Sequence, residues 1–142
     1  MQNLKILPKI DKNIEVLWLN NNPKLFTNKN INFTFNKIYK LKKIKVLILN
    51  TNNIKRLPKL PKTLNKLWLG YNPELFNKKN IKHTGKRLKK LKNLEYIDLL
   101  DNNLTTLPDL PISIKILYLS HHNIPIKILD NYKNKNQNVI IK

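Results

Sequence analysis

Leu64-Asn65-Lys66-Leu67-Trp68-Leu69-Gly70-Tyr71-Asn72 is the stretch that decides the fold. Side chains alternate along a strand, so Leu67 and Leu69 point to one side while Trp68 points to the other. Leu64 adds a third apolar contact on the leucine side. Asn72 stands where the chain leaves the strand. The pattern L-x-x-L-x-L-x-x-N recurs as Ile14, Leu17, Leu19, Asn22, then as Ile44, Leu47, Leu49, Asn52. It follows again as Leu94, Ile97, Leu99, Asn102, and ends as Ile114, Leu117, Leu119, His122. One such segment cannot bury its own leucines, whereas stacked copies can.

The starts are 30, 20, 30 and 20 residues apart, which makes a larger unit of 50. Shifted by 50, 21 of the first 50 positions are identical. Leu7-Pro8-Lys9 falls on Leu57-Pro58-Lys59, Leu17-Trp18-Leu19 on Leu67-Trp68-Leu69, and Asn22-Pro23 on Asn72-Pro73. Lys29-Asn30-Ile31 falls on Lys79-Asn80-Ile81, and Lys40-Leu41-Lys42 on Lys90-Leu91-Lys92.

Five matches to this pattern resemble the leucine-rich repeat family, over nearly the whole chain. The resemblance implies an α/β fold of one domain, residues 1–142: a short right-handed horseshoe solenoid. A parallel sheet would line its concave face, with extended and short helical segments on the convex face. Its units run over residues 1–13 (partial), 14–43, 44–63, 64–93, 94–113 and 114–142. Asn22, Asn52, Asn72 and Asn102 would bond backbone groups of neighbouring coils as a ladder through an apolar interior. His122 interrupts that series, so the last coil is expected to be looser or to end the regular stack.

The 20-residue units carry Leu57-Pro58-Lys59-Leu60-Pro61 and Leu107-Pro108-Asp109-Leu110-Pro111. Paired prolines block a helix and favour extended backbone. This L-P-x-L-P form resembles the short repeats of bacterial effector proteins, some of which are ubiquitin ligases with a separate cysteine-bearing catalytic domain. With no cysteine in this chain, only the recognition part of that resemblance carries over. The 30-residue units open on Asn-Pro, a helix or turn start. Leu88, Leu91 and Leu94 recur at helical spacing, which predicts short helices over roughly 33–42 and 83–92. At the ends, residues 1–10 either shield the edge of the first strand or leave it to pair with another chain. Residues 133–138 read as polar loop, and Val139-Ile140-Ile141 as a sixth, closing strand.

The outward strand positions predict the binding face. Their central column is Trp18, Ile48, Trp68, Asp98 and Tyr118, flanked by Tyr71, Tyr96 and Asp101. Tyr and Trp dominate binding hot spots. Across strands the same rings can instead cover one another. The expected function is a non-catalytic protein–protein interaction module. Its partner is a protein or peptide, and the acids, Glu95 among them, select basic groups.

Charge supplies the competing reading. The chain has 28 Lys and Arg against 8 Asp and Glu, net +20. The 25 outward positions of the five strand segments hold four acids and three bases, leaving about +21 on the return paths. The densest run is Lys78, Lys79, Lys82, Lys86, Arg87, Lys89, Lys90 and Lys92, candidates for nucleic-acid or anionic-surface association. The bland account is a solubilising surface, helped by a coding bias toward the 24 Asn and 26 Lys. Lysine without interleaved aromatics argues against sequence-selective reading of bases.

No enzyme is expected. The three histidines lack metal-pair spacing, no glycine loop cradles a phosphate, and no cofactor or metal is implied. Without a long apolar run or the apolar core of a leader at residues 1–10, the expectation is an intracellular protein, cytoplasmic or nuclear, with no membrane span. It would be a monomer or an edge-paired oligomer.

Overall fold

A computed structural model describes residues 3–142; of the expected edge shield, Met1 and Gln2 lie outside the described residues. Among the described residues the fold is α/β, with one six-stranded, all-parallel sheet and three α-helices. The strands are β1 (Val16–Trp18), β2 (Val46–Ile48), β3 (Lys66–Trp68), β4 (Tyr96–Asp98), β5 (Ile116–Tyr118) and β6 (Ile140–Ile141). They pair in sequence order, and the register follows the repeat: Leu17 faces Leu47, then Leu67, Ile97, Leu117 and Ile141. A one-residue slip would turn every leucine outward, so the apolar pattern and the pairing specify each other. Leu47, Leu67, Ile97 and Leu117 are fully buried in one continuous apolar core.

The asparagines knit successive turns of chain. Asn72 donates through Nδ2 to the carbonyls of Leu49, Leu69 and Gly70, and its Oδ1 accepts from the N–H groups of Asn52 and Ile54. Asn22 N–H donates to Asn52 Oδ1 and Asn72 N–H to Asn102 Oδ1, each at 2.6 Å. Leu4 N–H donates to Asn22 Oδ1, so the N-terminal segment covers this end of the series. Among the described residues it adds no strand beyond β1. At the other end His122 Nδ1 accepts from Ile124 N–H, within its own turn.

Each Asn-Pro opens a 3₁₀ turn, Pro23–Phe26 and Pro73–Leu75. Helices α1 (Ile31–Tyr39) and α2 (Ile81–Leu88) follow. Both begin two residues before the expected positions and end three or four residues before them. The leucine spacing misled at the C-terminal end: Leu91 N–H donates to Leu88 and Leu94 N–H to Leu91, as successive tight turns. Such turns repeat every three residues, so they keep leucines on one side as a helix does. Thr34 and Thr84, fully buried in the helices, donate to the carbonyls of Leu25 and Leu75 and tie each helix to its 3₁₀ turn.

Residues 54–61 and 104–111 contain no helix or strand. Gly85 of α2 meets the second of these segments. A Cβ there would stand 2.6 Å from Asp109 N, so the missing side chain sets the approach. The expected loop over 133–138 is corrected: α3 (Ile126–Lys135) occupies its first part. Leu129 is buried, and Ile128 and Tyr132 pack against the core, at helical spacing. The closing strand β6 forms as expected, and Leu119 N–H donates to the carbonyl of Lys142.

Candidate functional site

The side of the sheet opposite the leucines collects the expected binding residues, with unequal exposure. Trp18, on edge strand β1, is 70% exposed beside an exposed Val16. Ile48 and Trp68 are half-buried. The rings of Trp68 and Tyr96 approach to 4.5 Å between centroids at 34°, so these two aromatics cover each other. Tyr118 is half-buried on β5.

Asp98 departs from its expected place on the surface: it is only 6% exposed. The cause lies in two neighbours. Leu100 N–H donates to its carboxylate at 2.8 Å, and the Asn50 side chain supplies a second hydrogen bond. Asn50 spans a turn of chain to do so, passing Gly70, whose N–H donates to Asn50 Oδ1 at 2.9 Å. A Cβ on Gly70 would come within 3.5 Å of that oxygen and 3.2 Å of the Leu100 carbonyl. Burial raises the Asp98 pKa despite these donors, and Asp101 adds to the rise. Burial, then the charge of Asp98, also raises that of Tyr96.

Tyr71 and Asp101 sit at the rim for a backbone reason. Asn21, Thr51, Tyr71, Asp101 and His121 all have φ between 52° and 58°. This left-handed residue follows each of β1 to β5, and the Asn after it is buried at Asn22, Asn52, Asn72 and Asn102, whereas His122 is half-buried. Asn, Asp and His tolerate the conformation; Tyr and Thr adopt it under tertiary constraint. The column places Asp101 between Tyr71 and His121. Its carboxylate lies 3.2 Å from His121 Nδ1, and its hydrogen bond to the Tyr71 hydroxyl holds that phenol above its usual pKa. His121 takes the matching position of the last repeat and is the rim partner of Asp101.

Two face carboxylates are paired with lysines on the next strand segment, Glu15 with Lys45 at 3.3 Å and Glu95 with Lys115 at 2.7 Å. The Lys115 bond lowers the Glu95 pKa. Pairs this exposed contribute little stability, but they leave the face nearly neutral.

The lysine run from 78 to 92 does not act as one strip. Lys78, Lys79, Lys82 and Lys86 are exposed. Lys89 lines a hollow with Asp109 and Lys135. Arg87 and Lys90 line a different one with Lys59 and Lys62, which sequence reasoning missed because they come from the preceding 20-residue unit. Among the described residues, no group of three or more His, Asp or Glu is placed to hold a metal ion, and no helix is long and apolar enough to cross a membrane. No protein-family model matches the chain, and no curated protein matches it.

Proposed function

We propose that the chain is a leucine-rich-repeat-type solenoid and a non-catalytic binding module, taking a protein or peptide on the open side of its sheet. The observation that carries this reading is Trp18. A large amphipathic ring, 70% exposed, has no ring partner among the described residues and stands in the column that continues through Ile48 to Trp68. Leaving such a surface wet forgoes about 25 cal/mol for each Å² of apolar area a partner would cover. The Trp68–Tyr96 pair supplies a rigid second anchor, and Asp101 a carboxylate at the rim for a basic group. Paired charges at Glu15–Lys45 and Glu95–Lys115 frame the apolar column as a polar rim frames an interface.

The test is retention of proteins from cell extract on the immobilised chain, repeated with Trp18→Ala and Trp68→Ala. Loss of the same species from both variants supports the reading. Unchanged retention by variants that remain folded overturns it.

A further inference from the structure

Lys37 and Arg87 hold equivalent places fifty residues apart, and they are used differently. Lys37 Nζ donates to the Leu7 carbonyl at 2.7 Å and lies 4.7 Å from the centre of the Phe33 ring. In the second unit His83 replaces Phe33, and its Nε2 lies 3.1 Å from the carbonyl of Leu57, the counterpart of Leu7. An imidazole nitrogen, also 3.4 Å from Arg56 Nε, thus stands at that carbonyl where the first unit has a lysine ammonium. Arg87 Nε is buried without a hydrogen-bond partner, and the side chain lines a cavity of about 250 Å³.

The other walls are Lys59, Lys62, Lys90, Tyr39, Leu60 and Leu91. Four cations thus face one hollow with no carboxylate among its walls, and none of them belongs to the ion pairs of the described residues. An unmet buried donor is costly, more so on a charged group, and converging like charges add to that cost. Leu60, Leu91 and Tyr39 keep part of the wall apolar, which strengthens any ionic contact made there. A multiply charged anion with several acceptor oxygens answers the convergence of four cations on one hollow. A guanidinium fork matches phosphate oxygens two at a time, and lysines serve as flanking point charges. The volume lies below the roughly 300–1,000 Å³ of pockets for drug-sized ligands, so it suits a small group.

We propose that this cleft binds the phosphate or pyrophosphate group of a small soluble ligand, with Arg87 as the fork and Lys59, Lys62 and Lys90 around it. The site is separate from the sheet face and does not rest on the function proposed above.

Inorganic pyrophosphate, titrated calorimetrically into the full chain at near-physiological salt, is the probe. Saturable one-to-one binding is expected, weakened about tenfold or more by Arg87→Gln, since a charge-assisted bond contributes about 1.5–3 kcal/mol. Lys90→Gln, at an exposed position, should weaken it in the same direction and guards against misfolding of the arginine variant. Lys12→Gln removes the same charge at the first-unit counterpart of Lys62, and should change affinity less than about twofold. Absence of saturation, or equal losses in Lys12→Gln and Arg87→Gln, overturns the proposal. So does citrate binding as tightly as pyrophosphate.

Discussion

The backbone N–H of Asn72 donates to the side-chain carbonyl of Asn102 across thirty residues of sequence, at 2.6 Å. Asn72 repeats the arrangement toward the preceding turn, with three donated and two accepted bonds. Replacing it with alanine strands the buried N–H groups of Asn52 and Ile54, while the carbonyls of Leu49, Leu69 and Gly70 keep donors in Asn52, Asn102 and Thr51. At about 1–3 kcal/mol for a buried group left unpaired, Asn72→Ala should lose about 3 kcal/mol or more. That is a large share of a stability of about 5–15 kcal/mol. Urea unfolding of the variant checks it, and a loss below about 1 kcal/mol would show the bonds to be replaceable by water.

Gly85→Ala sets two effects against each other. Alanine favours a helix interior over glycine by about 1 kcal/mol. Its Cβ would stand 2.6 Å from the backbone nitrogen of Asp109, an atom that cannot rotate away. Overpacking of this kind costs about 1–3 kcal/mol, so a net loss of stability is expected. Gly70→Ala meets its nearest neighbour at 3.2 Å and should lose less of its packing. Thermal unfolding of the two variants gives the order, and equal or raised midpoints for Gly85→Ala would contradict it.

How much of this was legible follows from where each feature is encoded. Strand register was readable because Leu17, Leu47 and Leu67 carry their pairing in their spacing, and a slip would expose all of them. Helix α3 was not, because Ile128, Leu129 and Tyr132 occur once and have no counterpart 50 residues earlier to reveal their role. The exposure of Trp18 against the cover over Trp68 depends on Tyr96, which arrives from the next strand. Asp98 looked like a surface acid because its own neighbours are apolar. Its burial is set by Asn50 and by the absence of a side chain at Gly70, both in other turns of the chain. Arg87 was read with the lysines beside it in sequence, while its partners in space, Lys59 and Lys62, lie in the preceding unit.

Asp98 predicts a pH dependence with a definite sign. Burial lifts its folded pKa above the ordinary carboxylate value of about 4. Between the two values the folded state binds more protons than the unfolded one, so stability falls as pH rises through that window. Asp98→Asn removes the effect. Relative to the parent it should be more stable at pH 7 than at pH 3. Glu95→Gln should show the opposite trend, because the Lys115 bond lowers the Glu95 pKa and its contribution is lost on acidification. Denaturant midpoints at the two pH values measure both, and a pH-independent difference for Asp98→Asn would contradict the assignment.

Trp18 and Trp68 are sequence equivalents in different surroundings, which separates binding from folding. Trp18 is 70% exposed, whereas Trp68 is half-buried against Tyr96 at 4.5 Å. Trp18→Ala should therefore cost at most about 0.5 kcal/mol of stability, the range for surface changes. Trp68→Ala loses buried area together with a ring pair worth about 0.5–1.5 kcal/mol beyond it, and should cost clearly more. Tyr96→Ala should cost less when Trp68 is already alanine than when it is present, which a double-mutant cycle reads directly. If both tryptophans anchor a partner, both single variants lose retention although only one loses much stability. Retention lost only in Trp68→Ala, in step with its unfolding midpoint, would mean that the pair stabilises the sheet and that Trp18 binds nothing.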